Sequence, residues 1–320
     1  MRRAAHASVS HGRRNGIVAS IGDDCSILRL PAGHEALITT DFSLEGIHFR
    51  REWHPPQSVG HRSLTRGLSD IAAIGGEPIA AFLSLALPSK LSQTWVDGFI
   101  SGLLALANRF GVALAGGDTA SSPAGVLADI MVLGSIPKGT GILRSNARPG
   151  DRIFVTGALG GSAAVLDLLY SKKRKLNPGL FPAHFFPTPR IAVGHILREK
   201  KIAASMIDIS DGLSTDLSHI CEESGVGAHI NEQAVPRATI GNPPATVNLN
   251  FALHGGDDYE LLFTARPRTR VPRSIAGVAI TEIGEISRRK EMFLVREDGR
   301  RSVLQPGGWQ HFARSSNPRR

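Results

Sequence analysis

The chain has 320 residues, of which 42% are hydrophobic and 20% charged, and a formal net charge of +9. Its apolar runs are short and interrupted, so none has the length of a membrane span, and the first residues lack the apolar core of a secretory signal. Two cysteines, Cys25 and Cys221, without CxxC spacing, argue against a disulfide framework, a zinc site or a redox pair, and a reducing, cytoplasmic setting is expected.

The positive charge sits at the ends. Residues 1–20 hold Arg2, Arg3, Arg13 and Arg14 with no acid, and residues 296–320 carry a further net +4, which leaves +1 for the body. A basic end can bind polyanions weakly, but a solvated terminal segment is the simpler reading, and no nucleic-acid partner is expected. Residues 1–20 read as a flexible basic tail; Arg-rich, acid-free composition is also that of some targeting peptides, or of an upstream start.

From residue 21 short apolar runs alternate with amphipathic stretches. Residues 35–40 (EALITT) predict a strand. Residues 58–74 predict a helix with Leu64, Leu68 and Ile71 on one face. A strand is expected at 80–87, a helix over 93–110, a strand at 112–115 leading into Gly116-Gly117-Asp118, and another strand at 127–135. Gly, Pro and Arg accumulate over 137–149, which marks a boundary between a first domain, 21–137, and a second, 138–320. In the second, strands are expected at 152–156, 204–209 and 260–264, and helices at 160–169 and 213–224. The Lys-rich run 172–175 reads as a solvated loop. Without a strict βαβ repeat, the class is mixed α/β or α+β.

The chain has no GxxxxGK[ST] loop, no GxGxxG and no HRD/DFG pair. It carries instead a series of acidic clusters, most of them beside glycine or closing an apolar run: Asp23-Asp24, Thr39-Thr40-Asp41, Asp70, Gly117-Asp118, Asp208 to Asp211, and Asp257-Asp258. Strand ends gather ligand groups from distant parts of a chain. Hard cations such as Mg²⁺ take oxygen ligands and share them with phosphates. Gathered carboxylates repel one another unless cations lie among them. Each piece also has a plainer reading. Gly-Asp is commonly a turn or cap, Asp211 is placed to cap a helix starting at Leu213, and Asp70 stands four residues after Arg66, as in a surface ion pair. The six histidines before Gly67 show no metal-ligand spacing. Cys25 follows two acids, which disfavour a thiolate. Taken together, the residues describe a polyacidic α/β protein that handles magnesium and phosphate.

Eight stretches, in order, carry a resemblance: IGDDCSIL, TTDFSLEGIHF, GLSDIAAIGGEP, GGDTASSP, SNARPGDRIFVTG, PTPRIAVG, IDISDGLSTDLSHI and LHGGDDYELLFT. In them the chain resembles the thiamine-monophosphate kinases, relatives of aminoimidazole ribonucleotide synthetase and selenophosphate synthetase. The resemblance implies a two-domain fold of the aminoimidazole-ribonucleotide-synthetase type, its N-terminal sheet forming a homodimer interface and its C-terminal domain α/β. It implies transfer of the ATP γ-phosphoryl group to thiamine monophosphate. Asp24, Thr39, Thr40, Asp41, Asp70, Asp118, Asp208 and Asp211 would hold Mg²⁺; Gly117, Asp118, Arg144 and Ser210 would contact ATP; His48, Asp257 and Trp309 would approach the substrate. Asp41, Asp118 and Arg144 are the expected catalytic set. A plainer role for Trp309 is to anchor the C-terminal segment, and for His48 to be a packed histidine. The chain departs from the family in three places: an Arg-rich segment replaces an acidic-hydrophobic N-terminal helix, Gly67 and Arg62 stand where Asn and Lys are usual, and GGDDYE replaces GGEDYE. A sister enzyme acting on another substrate, or a non-catalytic nucleotide-binding module, are the competing readings.

Overall fold

The computed structural model describes residues 16–172 and 175–309. Residues 1–15 of the expected tail, residues 173–174 of the expected loop, and residues 310–320 lie outside the described residues. The chain divides into two compact units, the first running to Gly141 and including Phe185–Ile191, the second comprising Ile142–His184 and the described residues from Ala192 onward.

The first unit begins with a small hairpin, β1 (Ile17–Ala19) and β2 (Ile27–Leu28), so the end of the expected tail is a paired strand. A four-stranded sheet follows, from β3 (His34–Leu44), β4 (Glu77–Pro88), β5 (Ala113–Ser122) and β6 (Leu127–Pro137), in the order β3-β6-β4-β5. β4 and β5 run parallel. That pairing requires a crossover, supplied by α2 (Gln93–Phe110), which starts under the Ser92 hydroxyl and stops where Gly111 turns left-handed. Helix α1 (Pro56–Ile74) lies between β3 and β4 in sequence, opens on Pro56 and also ends on a left-handed glycine, Gly75. The expected strand at 112–115 continues through both glycines to Ser122, because the ladder with β4 holds the backbone extended where local propensity would end it. One face of the sheet packs on the helices through Leu83, Ile130, Val132, Leu64, Leu68, Phe99 and Leu103.

In the second unit β7 (Arg152–Thr156) leads into α3 (Gly161–Lys172), and two short helices follow, α4 (Pro182–Phe185) and α5 (Ile191–Glu199). β8 (Ser205–Ile209) leads into α6 (Leu213–Ser224), then β9 (Gly227–Asn231), the small pair β10 (Thr239–Ile240) and β11 (Ala245–Thr246), and α7 (Leu249–His254). The chain continues through β12 (Glu260–Ala265), β13 (Ser274–Ile275), β14 (Val278–Ser287), β15 (Met292–Val295) and β16 (Arg301–Val303). The sheet order is β16-β15-β9-β14-β7-β12-β8, with β13 against β14. All pairs are antiparallel except β9 with β15. The fold class is mixed α/β, as expected. Its core joins Ile153, Val155, Ile207, Ile209 and Leu262 of the sheet to Leu213, Leu217 and Ile220 of α6.

Candidate active site

In the first unit the expected ligands gather in two places. β3 alternates its side chains between the two faces of the sheet. Thr39, Asp41 and Ser43 face the helices, whereas Ile38, Thr40 and Phe42 lie on the open face. Thr40 is therefore separated from its two neighbours by the sheet itself. On the helix side the Thr39 hydroxyl donates to Oδ2 of Asp70, one α1 turn beyond Arg66. Burial, then the charge of Asp70, pushes the Asp41 carboxyl up to about 7, against the opposing pull of Arg66. Two carboxylates confined this way hold a proton between them or accept a cation. Two carboxylates and a hydroxyl, all hard oxygen donors, fit Mg²⁺. Gly67 makes the close approach possible: an added Cβ there would stand 2.6 Å from Val132 Cγ2 and beside the Thr39 methyl. A larger residue there would need the Val132 side chain or α1 to shift. His48, in the turn after β3, accepts the Leu44 N–H at Nδ1 (3.0 Å). With Arg62 and Arg66 it borders one small cavity, about the size of a water molecule.

The second place is the other edge of the same sheet. The 22–26 loop and the 115–119 stretch of β5 enclose a cavity of about 450 Å³, lined by Asp24, Gly117 and Asp118 among others. The Ser26 hydroxyl fastens the loop to β5 by donating to Ala115 O (2.6 Å). Gly117 has φ 143°, and a Cβ there would lie 2.0 Å from Leu83 O. The position tolerates only glycine, and the bare backbone is left open to a ligand. Register aligns Asp41, Ile130, Leu83 and Gly117 across the sheet, so the two groups stand three strand spacings apart, roughly 14 Å.

In the second unit the expected residues converge on the turn between β8 and α6. Asp208 is buried near the end of β8. The turn's carbonyls bind two other segments: Ser210 O accepts Asp257 N–H (2.8 Å) and Asp211 O accepts Trp309 N–H (3.1 Å). Asp257 has φ 62°, and its carboxylate accepts the Tyr259 hydroxyl (2.6 Å). Trp309 follows Gly307-Gly308, whose N–H groups donate to the Ser214 and Thr215 hydroxyls (3.2 and 3.0 Å). Ser210, Asp211, Asp257 and Trp309 thus share one corner. Arg144 does not join them there. Its carbonyl accepts from the Ser224 hydroxyl (2.8 Å), at the far end of α6, about 18 Å of helix away.

Sequence reasoning counted Asp258 among the acidic clusters without giving it a role, and passed over Asp216 and His219. The helix cap expected of Asp211 is not made: Gly212 is the N-cap residue, with no side-chain cap bond, and Asp216 receives the N–H groups of the turn. Ligating atoms of Asp211, Asp216 and His219 lie within 4.8 Å of one another. Asp258 is half-buried, accepts from Gly160 and Ser162 N–H, and is raised by burial to about 8. The signal for Asp216 was present in GLSTD, an acid in the first turn of a helix following a glycine.

A polyacidic first unit followed by an α/β unit with a glycine-flanked acidic turn defines the AIR synthase related class. The AIR synthase related N-terminal domain matches residues 22–136, and the C-terminal domain matches residues 148–296. The chain is 37% identical to the thiamine-monophosphate kinase of Salmonella typhimurium, over 93% of each. The structure is similar to the thiamine-monophosphate kinase of Stenotrophomonas maltophilia (TM-score 0.80, 32% identity, 94% of this chain and 96% of that one). It is also similar to AaThiL complexed with AMPPCP and TMP (TM-score 0.77, 32% identity, 92% of each chain). The chain belongs to the thiamine-monophosphate kinase family.

Proposed function

We propose that this chain uses ATP and Mg²⁺ to phosphorylate thiamine monophosphate to thiamine diphosphate, and that it works as a homodimer. The observation that carries the reading is the half-buried Thr39, Asp41 and Asp70 group, where the repulsion of two carboxylates calls for a cation, in a chain of this family. A relative binds an ATP analogue together with TMP, which supports the same pair of substrates here.

Phosphoryl transfer between two anionic phosphates depends on positioning and charge neutralisation. Asp24, Thr39, Thr40, Asp41, Asp70 and Asp118 of the first unit, and Asp208 and Asp211 of the second, would hold Mg²⁺. Bound there, it would offset phosphate charge and polarise the transferring group. The open backbone at Gly117 admits nucleotide phosphate, beside Asp118, and Ser210 and the permanently charged Arg144 add contacts to ATP. His48, whose Nδ1 accepts the Leu44 N–H, would approach the substrate. Trp309 offers a face for the thiazolium cation, worth roughly 0.5–2 kcal/mol, and Asp257 supplies a carboxylate beside it.

A second copy would complete the site. The open face of the sheet exposes Ile38 (64%) and Phe42 (55%), large apolar groups on a face that monomers rarely leave bare. Covering it with a second sheet would bring each copy's Asp41 edge toward the other's Asp118 edge. Phe42→Asp is expected to yield a monomer by light scattering and to lose turnover; a fully active monomer would defeat the dimer proposal. No helix among the described residues is long and apolar enough to cross a membrane.

The functional reading is tested by incubating purified protein with ATP, Mg²⁺ and thiamine monophosphate, with thiamine in parallel, and following thiamine diphosphate by chromatography. Mg²⁺-dependent product from the monophosphate alone is expected. A folded, ATP-binding protein that makes none would point to a sister substrate.

A further inference from the structure

The turn between β8 and α6 bonds inward and outward at once. Inward, a single carboxylate oxygen, Asp216 Oδ2, accepts three consecutive main-chain N–H groups, from Ser210 (3.1 Å), Asp211 (3.1 Å) and Gly212 (2.9 Å). Asp216 is 2% exposed, so water cannot substitute for it. The turn can fold back this far because Gly212 takes φ 119°, where an added Cβ would meet the His254 backbone at 2.9 Å.

Outward bonding follows from peptide geometry. A trans peptide is planar, and its C=O points opposite to its N–H. In the peptide joining Ser210 to Asp211, the N–H is held by Asp216, so Ser210 O points away, and it is this oxygen that accepts Asp257 N–H at 2.8 Å. In the next peptide, Gly212 N–H is held by Asp216, so Asp211 O points away, and it accepts Trp309 N–H at 3.1 Å. One buried carboxylate therefore sets two peptide planes, and those planes hold the two segments that carry Asp257 and Trp309.

We infer that Asp216 is a positioning residue for the thiamine side of the site: it fixes the Ser210–Gly212 turn so that the turn's carbonyls hold Asp257 and Trp309 in place. The inference rests on the proposed kinase reading. Asp216 touches neither substrate in this role. Its effect passes through the turn, so its loss changes the handling of thiamine monophosphate more than it changes the fold. Removing the acceptor leaves three N–H groups, one buried and two half-buried, without their partner and frees both peptides to rotate.

The test compares Asp216→Ala and Asp216→Asn with the wild type, by steady-state kinetics and by residue-resolved amide exchange. For Asp216→Ala, kcat/KM for thiamine monophosphate is expected to fall about 10–100-fold, as when groups that orient ligands are removed. Amides of Asp257 and Trp309 are expected to exchange about tenfold faster, while amides of β12 stay protected. Asp216→Asn keeps the shape and one carbonyl acceptor, and is expected to fall between Ala and wild type on both readouts. Unchanged kcat/KM together with unchanged exchange at Asp257 and Trp309 in a folded Ala variant would overturn the inference. If the Ala variant does not fold, the same result in Asn overturns it. A wild type that makes no thiamine diphosphate sinks the kinase reading and leaves the exchange comparison standing, so the two failures are distinguishable.

Discussion

The two units present their acidic residues in opposite ways. In the first, the candidate ligands ride on regular elements: Thr39, Thr40 and Asp41 on one edge strand, Asp118 on the other, Asp70 on a helix. Their carboxylates are half-buried or exposed, and those on the two edges are separated by the width of the sheet. In the second, the candidates stand on a turn whose N–H groups are consumed by Asp216 and whose carbonyls are consumed by Asp257 and Trp309. On the proposed reading, ions and a second copy would finish the first arrangement; the second is already closed by its own hydrogen bonds. Substitutions in the first unit should therefore remove activity and spare stability, and those in the second should affect both.

The largest effect is expected from Asp41→Asn and Asp118→Asn. Loss of one charged oxygen facing the phosphates should lower kcat by about 10²–10³-fold, with the melting temperature of Asp118→Asn unchanged. In metal-free protein above pH 7, Asp41→Asn should melt at or above wild type, because Asp41 is raised by burial and by Asp70 to about 7 and its charged form is disfavoured in the fold. A destabilised Asp118→Asn would break the contrast between the units.

An effect on stability follows from Asp258, whose carboxyl is raised from 3.8 to about 8 by burial. Its folded state favours the proton, so its contribution is fully present below pH 3.8 and is lost as pH rises toward 8. Over pH 5 to 8 that loss should amount to roughly 2–4 kcal/mol, visible as a falling midpoint in urea titrations. Asp258→Asn, which keeps an acceptor for Gly160 N–H, should flatten the profile; an equally steep profile would remove Asp258 as its source.

The smallest effect is expected from Gly308→Ala. An added Cβ would lie 2.1 Å from Asp211 O, so the segment carrying Trp309 must lift from the turn. The KM for thiamine monophosphate should rise about tenfold, near the worth of one cation–aromatic contact, with the KM for ATP unchanged. Equal shifts in both would mean that the segment acts on the whole turn and not on the thiamine side alone.

Legibility in the sequence followed the range of the interactions. Helices α1, α2 and α6 were readable because their apolar periodicity and their glycine stops are local, and strands 152–156 and 260–264 because they are short buried runs bounded by turn residues. β14 was missed: its GVAITEIGEIS segment mixes charge and glycine with alternating isoleucines, and only the ladders to β7 and β9 make it a strand. β5 was cut short at its glycines for the same reason. Asp41, Asp70 and Asp118 could be singled out as acids beside strand or helix landmarks, but not sorted into groups. Asp216 went unnoticed because an acid in a helix's first turn looks like surface.

The sequence by itself determined the composition class, most of the helices, the acidic inventory and, through eight ordered motifs, the family. Those properties depend on residue identity and on neighbours a few positions apart. The tertiary structure alone decided that Thr40 faces away from Asp41, that Asp24 and Asp118 share a cavity, that Arg144 lies at the far end of α6 from Ser210, and that one buried carboxylate orders the turn beneath Asp257 and Trp309. Each of these depends on strand register and on the burial of groups distant in the chain, which no local pattern encodes.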